Sequence, residues 1–240
     1  MNHSSNQSAE DILRARYEEL AALSGSLAHE IKNPLSVIRM NTELLAEDFE
    51  NINTPEARRA MERIQTVNRH CVRLENLLND FLRFNRLDNL ELKSGSLNDQ
   101  VLQILDFYET QARKQGVEIK RYLEADLPSI KMESQTLQAA LVNLVKNALE
   151  AMPDGGQLVA RTRSIKNSVV LDLIDNGCGM ETSTLLNMFK TFYTSKEGGS
   201  GLGLPTAKKI IEAHGGIINV QSVPGQGTQF SIEFPAPKRI

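Results

Sequence analysis

Two long series of apolar residues, spaced mostly three or four positions apart, fill the first third of this 240-residue chain. The first series is Leu23, Leu27, Ile31, Leu35, Ile38, Leu45 and Phe49. The second series is Ile64, Val67, Cys71, Leu74, Leu78, Phe81 and Phe84. This spacing places one apolar stripe on each of two amphipathic helices. The polar stretch at 50–55 turns the chain back, so the sequence predicts a helical hairpin within 11–92.

A single hairpin of this kind leaves part of each apolar stripe in water. Two hairpins from two chains bury both stripes when they pair into a four-helix bundle. We therefore expect a homodimer through residues 9–89. The polar stretch 1–10 has the composition of a disordered tail, and a second short tail is expected at 237–240.

A different pattern begins near residue 95, where Ser96 and Asp99 match a helix start. Helices are expected at Val101–Gln115, Ser134–Met152 and Pro205–His214. Strand-like runs occupy Val117–Tyr122, Gln157–Ile165, Ser168–Ile174, Ile217–Val223 and Thr228–Phe234. Because late strands are joined by short turns, we expect 95–236 to form an α/β sandwich, a mixed sheet with helices on one face.

Composition argues against several classes of function. The chain has 27 Lys and Arg against 30 Asp and Glu, with no basic block of the kind that binds nucleic acid. With Cys71 and Cys178 alone, neither a disulfide framework nor a zinc site is expected. No uncharged apolar run approaches the about 20 residues of a membrane-spanning helix, and 1–10 does not resemble a signal peptide. These features predict a soluble cytoplasmic protein.

His29 lies two positions from both Leu27 and Ile31, which turns it away from the apolar stripe. A neutral imidazole with its ordinary pKa of about 6.5 is a competent nucleophile. Glu30 can accept a proton or orient the ring, and Asn33 shares the face of His29. An ordinary surface histidine is the simpler alternative. A metalloprotease is excluded, because Asn33 stands where the second zinc-binding His would be.

Asn143 and Asn147 are four residues apart on a predicted helix, beside Lys146, so their carboxamides share one face. Magnesium takes few oxygen ligands from protein and the rest from phosphates and water. One or two amide oxygens therefore suit a metal-nucleotide complex. Two ordinary exposed asparagines are the alternative.

Asp175 follows a predicted strand, where the backbone opens into a loop containing Gly177 and Gly179. Its carboxylate can accept a hydrogen bond from the amino group of adenine, and the glycines permit close approach of the backbone. A plain Asp-Asn-Gly turn is the alternative.

A glycine-rich segment with Gly199, Gly201, Leu202 and Gly203 precedes the helix expected from Pro205. Free N–H groups at a helix start favour anions, and Lys196 or Lys190 can add positive charge. The segment matches neither the Walker loop nor the GxGxxG pattern. A hinge or a linker remains an alternative.

Five segments in order resemble the two-component sensor histidine kinases, most nearly the nitrogen-regulation type. They are HEIKNP at His29–Pro34, NLVKNALEA at Asn143–Ala151, DNGCGM at Asp175–Met180, FKTFYTSK at Phe189–Lys196 and GSGLGL at Gly199–Leu204. The resemblance spans residues 20–236. It implies an ATP- and Mg²⁺-dependent kinase that phosphorylates His29 and passes the phosphoryl group to an aspartate of a response regulator.

The resemblance also implies roles for single residues. Glu30 is expected to be the acid-base partner of His29, and Asn33 is expected to act in dephosphorylation of the regulator. Asn147 becomes the magnesium ligand, and Asp175 reads adenine. The ATP site is expected to comprise Asn143, Lys146, Asn147, Asp175, Gly177, Gly179, Lys196, Gly199, Gly201, Leu202, Gly203 and Thr228. The segment Phe189–Gly203 is expected to be a mobile lid.

In related ATPases of the gyrase and chaperone type, a water-activating Glu stands at the position of Asn143. The amide of Asn143 implies that hydrolysis of ATP by water is slow.

The family usually places a sensor domain before the hairpin, whereas few residues precede Leu20. Either the chain is a fragment or the signal arrives through another protein. Two rival functions are a nucleotide-driven dimer switch and a mainly phosphatase role.

Overall fold

The computed structural model describes residues 30–49, 52, 54–85, 90–196 and 199–236. The chain divides into two compact units, Met1–Arg86 and Leu87–Ile240. In the described ranges, no helix combines the length and apolar character that crossing a membrane requires.

The first unit contains helix α1, residues 30–49, and helix α2, Pro55–Asn85. Helix α2 begins well before the predicted apolar series, because Pro55 is compatible with the first helical position and the Thr54 side chain accepts a hydrogen bond from Ala57 N. The side chains of Thr42 and Asn68 form a hydrogen bond between the two helices. These contacts confirm the predicted hairpin.

Buried apolar side chains of the hairpin include Leu35, Ile64 and Cys71. Many others remain exposed within the single chain. They are Ile31, Val37, Ile38, Met40, Leu44, Leu45, Val67, Val72 and Leu74. An isolated hairpin therefore presents an extensive apolar surface to water.

The second unit contains a five-stranded sheet in the order β2-β4-β5-β7-β6. Its strands are β2 Val117–Tyr122, β4 Gly156–Ile165, β5 Ser168–Asp175, β6 Ile217–Val223 and β7 Gly227–Pro235. Strand β2 is parallel to β4, and the other neighbouring pairs are antiparallel. The predicted mixed sheet is confirmed.

Helices α3, Leu97–Lys114, α4, Ser134–Glu150, and α6, Gly203–Ala213, pack on one face of this sheet. Strand β7 shows why, because Phe230, Ile232 and Phe234 point into the core and alternate with more exposed polar residues. At the start of α3, Ser96 Oγ accepts from Asp99 N at 3.2 Å, as the sequence predicted.

Three short elements were not predicted. Strands β1, Lys93–Gly95, and β3, Ile130–Met132, pair antiparallel in a separate two-stranded sheet. Helix α5 covers Thr182–Asn187. The predicted start of α6 at Pro205 was two residues late. Because N–H groups of the first helical turn have no intrahelical partner, a proline fits within that turn as well as at its first position.

Candidate functional site

Asp175 is the last residue of β5 and is 4% exposed. Its Oδ1 accepts hydrogen bonds from Gly177 N at 3.0 Å and Thr228 N at 3.2 Å. Burial raises the pKa of this carboxyl, while the two N–H donors and the charge of Lys196 act in the opposite direction. Oδ2 takes no hydrogen bond from the described residues. The carboxylate is thus fixed by one oxygen, and the other is left to accept a further hydrogen bond.

The loop after Asp175 is clamped between two other segments. Cys178 N donates to Ala151 O at the end of α4, at 2.9 Å, and Cys178 O accepts from Gly225 N at 2.8 Å. At Gly177 a Cβ would lie 2.5 Å from Ala151 O, and at Gly179, where φ is +65°, it would lie 2.1 Å from Val223 O. The contacts that require these two glycines are therefore with neighbouring backbone of the protein itself.

The other end of the site is the exposed side of α4. The half-buried Asn147 donates through Nδ2 to Asn143 O at 2.8 Å. This bond turns the Asn147 carbonyl oxygen, Oδ1, outward. A Cβ on Gly203, the first residue of α6, would lie 3.5 Å from Asn143 Oδ1. The structure thus brings the end of the glycine-rich segment close to Asn143.

The side chain of Leu202, at the N-terminus of α6, makes no capping hydrogen bond to the described residues, and the N–H groups of a first helical turn have no intrahelical partner. Leu202 precedes this helix and is buried, so its side chain belongs to the core. Its N–H donates to Ser200 Oγ at 3.2 Å. The assignment of Leu202 to nucleotide binding therefore cannot rest on its side chain.

In the described part of the predicted lid, the backbone at Phe192 contacts the backbone at Gly201. Phe192 N donates to Gly201 O at 2.9 Å. Phe192 adopts a φ of +64°, which is uncommon for a bulky residue, and Gly201 has a φ of +66°. A Cβ on Gly201 would lie 2.4 Å from the Phe192 carbonyl carbon. Residues 197 and 198 of the lid lie outside the described residues.

Lys196 reaches the face of α4 that carries the asparagines. Its Nζ donates to Asn147 Oδ1 at 2.9 Å and to Glu150 Oε2 at 2.5 Å. Lys146 is exposed, and its Nζ lies 3.8 Å from Glu150 Oε1. The sequence analysis did not single out Glu150. Its position three residues after Asn147, on the same helical face, was the available signal.

The hydroxyl groups of Ser222 and Thr228 contact each other beside the site. They lie 2.9 Å apart, and Met180 N donates to Ser222 Oγ at 2.9 Å. Thr228 was assigned to the site and lies beside Asp175, whereas Ser222 was not. Its place on an alternating strand gave no reason to select it.

His29 lies outside the described residues. Glu30 and Asn33 are both exposed on helix α1. Pro34 also lies within this helix.

Within the described ranges, no group of three or more His, Cys, Asp or Glu side chains is arranged to hold a metal ion. Asn147 Oδ1 nevertheless holds the ammonium of Lys196, so its position suits a cation. This donor set fits a magnesium ion that takes most of its ligands from phosphates and water.

Two family models match the chain. Residues 19–90 match HisKA, the His Kinase A (phospho-acceptor) domain. Residues 132–238 match HATPase_c, the histidine kinase-, DNA gyrase B- and HSP90-like ATPase. His29 falls within the first match, and Asn147 and Asp175 fall within the second.

Curated relatives match across most of the chain. Sporulation kinase E of Bacillus subtilis is 31% identical, over 89% of this chain and 28% of the relative. The sensor histidine kinase ZraS of Salmonella typhi is 30% identical, over 93% of this chain and 48% of the relative. The chain therefore spans less than half the length of these relatives.

Solved structures share the fold. Full-length ShkA in complex with AMPPNP gives a TM-score of 0.72 at 26% identity, covering 91% of this chain and 46% of ShkA. Histidine kinase ThkA in complex with the response regulator TrrA gives a TM-score of 0.67 at 23% identity, covering 96% of this chain and 66% of that one.

Proposed function

Because the chain belongs to the two-component sensor histidine kinases, we propose that it binds ATP with Mg²⁺ and transfers the γ-phosphoryl group to its own His29. The phosphohistidine then donates this group to an aspartate of a response regulator. One observation carries the nucleotide part of the proposal. A buried carboxylate with a free oxygen, Asp175, stands at one end of the site, and a cation-holding amide, Asn147, stands at the other.

At the adenine end, Asp175 Oδ2 accepts a hydrogen bond from the exocyclic amino group. Oδ1 stays fixed by Gly177 N and Thr228 N, so the acceptor is held in place before the base arrives. The binding of AMPPNP, an adenine nucleotide, by the related kinase ShkA supports this assignment.

At the phosphate end, the N–H groups at the start of α6 and the ammonium of Lys196 bind phosphate oxygens. Asn147 would hold Mg²⁺ through Oδ1, and the ion would supply positive charge to the phosphates. The glycine-rich segment, through Gly199, Gly201 and Gly203, lets the backbone approach them. Lys146 and Asn143 lie on the same helix and complete this end of the site.

In the transfer step, an imidazole nitrogen of His29 forms a bond to the γ-phosphorus while the bond from that phosphorus to the β–γ bridging oxygen breaks, and ADP leaves. Glu30 takes the proton from the other ring nitrogen. Asn143 carries an amide, which does not accept a proton from water, so the competing hydrolysis is slow.

We propose the homodimer from the exposed apolar residues of the hairpin, which a second copy would cover. The division into a phosphotransfer hairpin at 11–92 and a catalytic domain at 95–236, with the nitrogen-regulation type of kinase, belongs to the same proposal. A cytoplasmic location agrees with two free cysteines, of which Cys178 is exposed.

The kinase proposal is tested by incubating the full chain with γ-labelled ATP and Mg²⁺, followed by acid and base treatment of the labelled protein. We expect an acid-labile, base-stable label on wild type and on His70→Gln, an exposed histidine of α2. His29→Gln and Asp175→Asn should carry none. A label that survives in acid, or that persists in His29→Gln, would overturn the proposal.

Phosphatase activity on the phosphorylated regulator is a second proposed activity, because Asn33 presents its amide to solvent near His29 in sequence. Asn33→Ala should lose this activity and keep autophosphorylation. Equal loss of both activities would contradict the assignment. A protein that binds nucleotide without ever becoming labelled would instead be a nucleotide-driven switch.

A further inference from the structure

Two oxygens on α4 converge on one cation. Lys196 Nζ lies 2.9 Å from Asn147 Oδ1 and 2.5 Å from Glu150 Oε2. Asn147 and Glu150 are three residues apart, so they share a face of the helix. They form the Asn147–Glu150 oxygen pair. Asn147 has a role in the proposed kinase reaction, whereas Glu150 has none.

We propose that Glu150 is a second ligand of the magnesium position, and that the Asn147–Glu150 oxygen pair exchanges Lys196 for Mg²⁺ when the nucleotide binds. This inference rests on the proposed function, because it assumes a magnesium-nucleotide at this site. Lys196 marks the position of the cation, since an amide oxygen and a carboxylate oxygen both reach it. Carboxylate and amide oxygens are also ligands that magnesium accepts, directly or through its water.

The two cations exclude each other, because they use the same two oxygens. Arrival of the metal therefore releases the Lys196 ammonium, which can then bind phosphate oxygens. The exchange is feasible because the pair is exposed, with 43% of the Lys196 side chain and 41% of the Glu150 side chain accessible. An exposed ion pair of this kind favours the bound position of the ammonium by roughly five-fold at most, so it is a weak barrier to displacement by the metal.

The negative charge of Glu150 distinguishes the metal-bound nucleotide from the metal-free nucleotide. A nucleotide without metal brings several negative charges towards a carboxylate, and drawing Lys196 to the phosphates would leave Glu150 Oε2 facing them with like charge. Lys146 offsets part of this charge, at 3.8 Å from the other oxygen, Oε1. With Mg²⁺ in place the same carboxylate becomes attractive. Glu150 thus selects the metal-bound form of the nucleotide.

The test measures the affinity of the full chain for ADP by calorimetry, once with Mg²⁺ and once with EDTA. The measured quantity is the dissociation constant in EDTA divided by the dissociation constant in Mg²⁺. Glu150→Gln should reduce this ratio by roughly 10- to 100-fold, in the range found for supporting groups of metal sites. Binding becomes weaker with Mg²⁺ and tighter with EDTA. Glu150→Ala should behave alike, since both substitutions remove the charge.

The matched control is Glu212→Gln, which removes an exposed glutamate that pairs with Lys208 on α6 at 3.7 Å. Its ratio should equal that of wild type. A direct readout of the metal comes from electron paramagnetic resonance of Mn²⁺ added with ADP, where Glu150→Gln should leave more free Mn²⁺.

The outcomes separate the two proposals. If wild type binds ADP in neither buffer, the proposed nucleotide site is wrong. If wild type binds with a clear metal dependence and both Glu150 variants keep the same ratio and the same Mn²⁺ affinity, the kinase proposal stands and the role of Glu150 is overturned.

Discussion

Asp172 and Asp175 lie three residues apart on β5, and the protein shifts the pKa values of their carboxyl groups in opposite directions. The odd spacing places them on opposite faces of the sheet. Burial raises the pKa of both. At Asp172, hydrogen bonds from Ser231 and Arg161 and the charge of Arg163 outweigh burial and lower it. At Asp175 burial outweighs the two N–H donors and the charge of Lys196, so ionisation of its carboxyl is less favourable in the native fold than in the unfolded chain.

Asp175→Asn should stabilise the protein at neutral pH while removing nucleotide binding. An acid whose pKa is raised on folding binds protons more tightly in the native state, so ionisation opposes folding above the unfolded pKa of about 3.9. The amide keeps an oxygen for Gly177 N and Thr228 N. Thermal unfolding should show a higher Tm than wild type at pH 7, and a difference that vanishes below the unfolded pKa. A lower Tm at pH 7 would contradict this account.

Asp172→Asn should have the opposite effect, because its carboxylate accepts from Ser231 Oγ at 2.6 Å and from Arg161 Nη2 at 2.9 Å. The loss should be about 1–3 kcal/mol at pH 7, as for a hydrogen bond to a charged group. An acid with a lowered pKa stabilises the fold above its unfolded pKa, and this contribution is lost as pH falls through the folded value. Urea titrations of both proteins across pH measure the difference, and an effect that grows in acid would refute the assignment.

Gly179→Ala should destabilise the protein by about 3 kcal/mol or more. The added methyl group would overlap Val223 O, and the alanine would also be strained at a φ of +65°. Gly225→Ala is the matched control, since Gly225 has a φ of +73° and a Cβ there would meet nothing within 4 Å. It should cost only about 1–2 kcal/mol, the strain of a left-handed residue. Denaturant unfolding of the two variants compares them. Equal losses would show that the contact with Val223 O does not matter.

Leu74→Glu should weaken the proposed dimer without unfolding the hairpin, because Leu74 is 48% exposed within the single chain. Burying a leucine contributes about 1.5–3 kcal/mol, so the dissociation constant should rise by at least roughly ten-fold. Sedimentation equilibrium measures it. Gln65→Glu, on an exposed polar position of the same helix, should leave it unchanged. A wild type that is a stable monomer at micromolar concentration would contradict the dimer itself.

Much of this architecture follows from local patterns. The hairpin, the main strands and the helical face shared by Asn143 and Asn147 could be predicted, because each rests on a period that a few consecutive turns or strand residues display. Strands β1 and β3, of three residues each, are too short to show a period. Their pairing depends on residues far apart in the chain.

Contacts between distant segments were also beyond a pattern-based prediction. Glu150 is an ordinary exposed glutamate until Lys196 is placed against it. His214 was predicted as a helix end, yet it is buried, and its Nε2 accepts from Glu133 N at 3.0 Å while Nδ1 lies 2.8 Å from Ile210 O. It joins the end of α6 to the start of α4. Nothing in the local sequence around His214 indicates this partner.

The most direct measurement is to locate the phosphoryl group by fragmentation mass spectrometry. The full chain would be incubated with ATP and Mg²⁺, kept at alkaline pH and digested. The chain has four histidines, His3, His29, His70 and His214, and the account predicts a single phosphoryl group on the peptide and residue of His29. Phosphorylation of another histidine or of a hydroxyl side chain, or an unmodified His29 in protein that demonstrably binds ATP, would contradict the account.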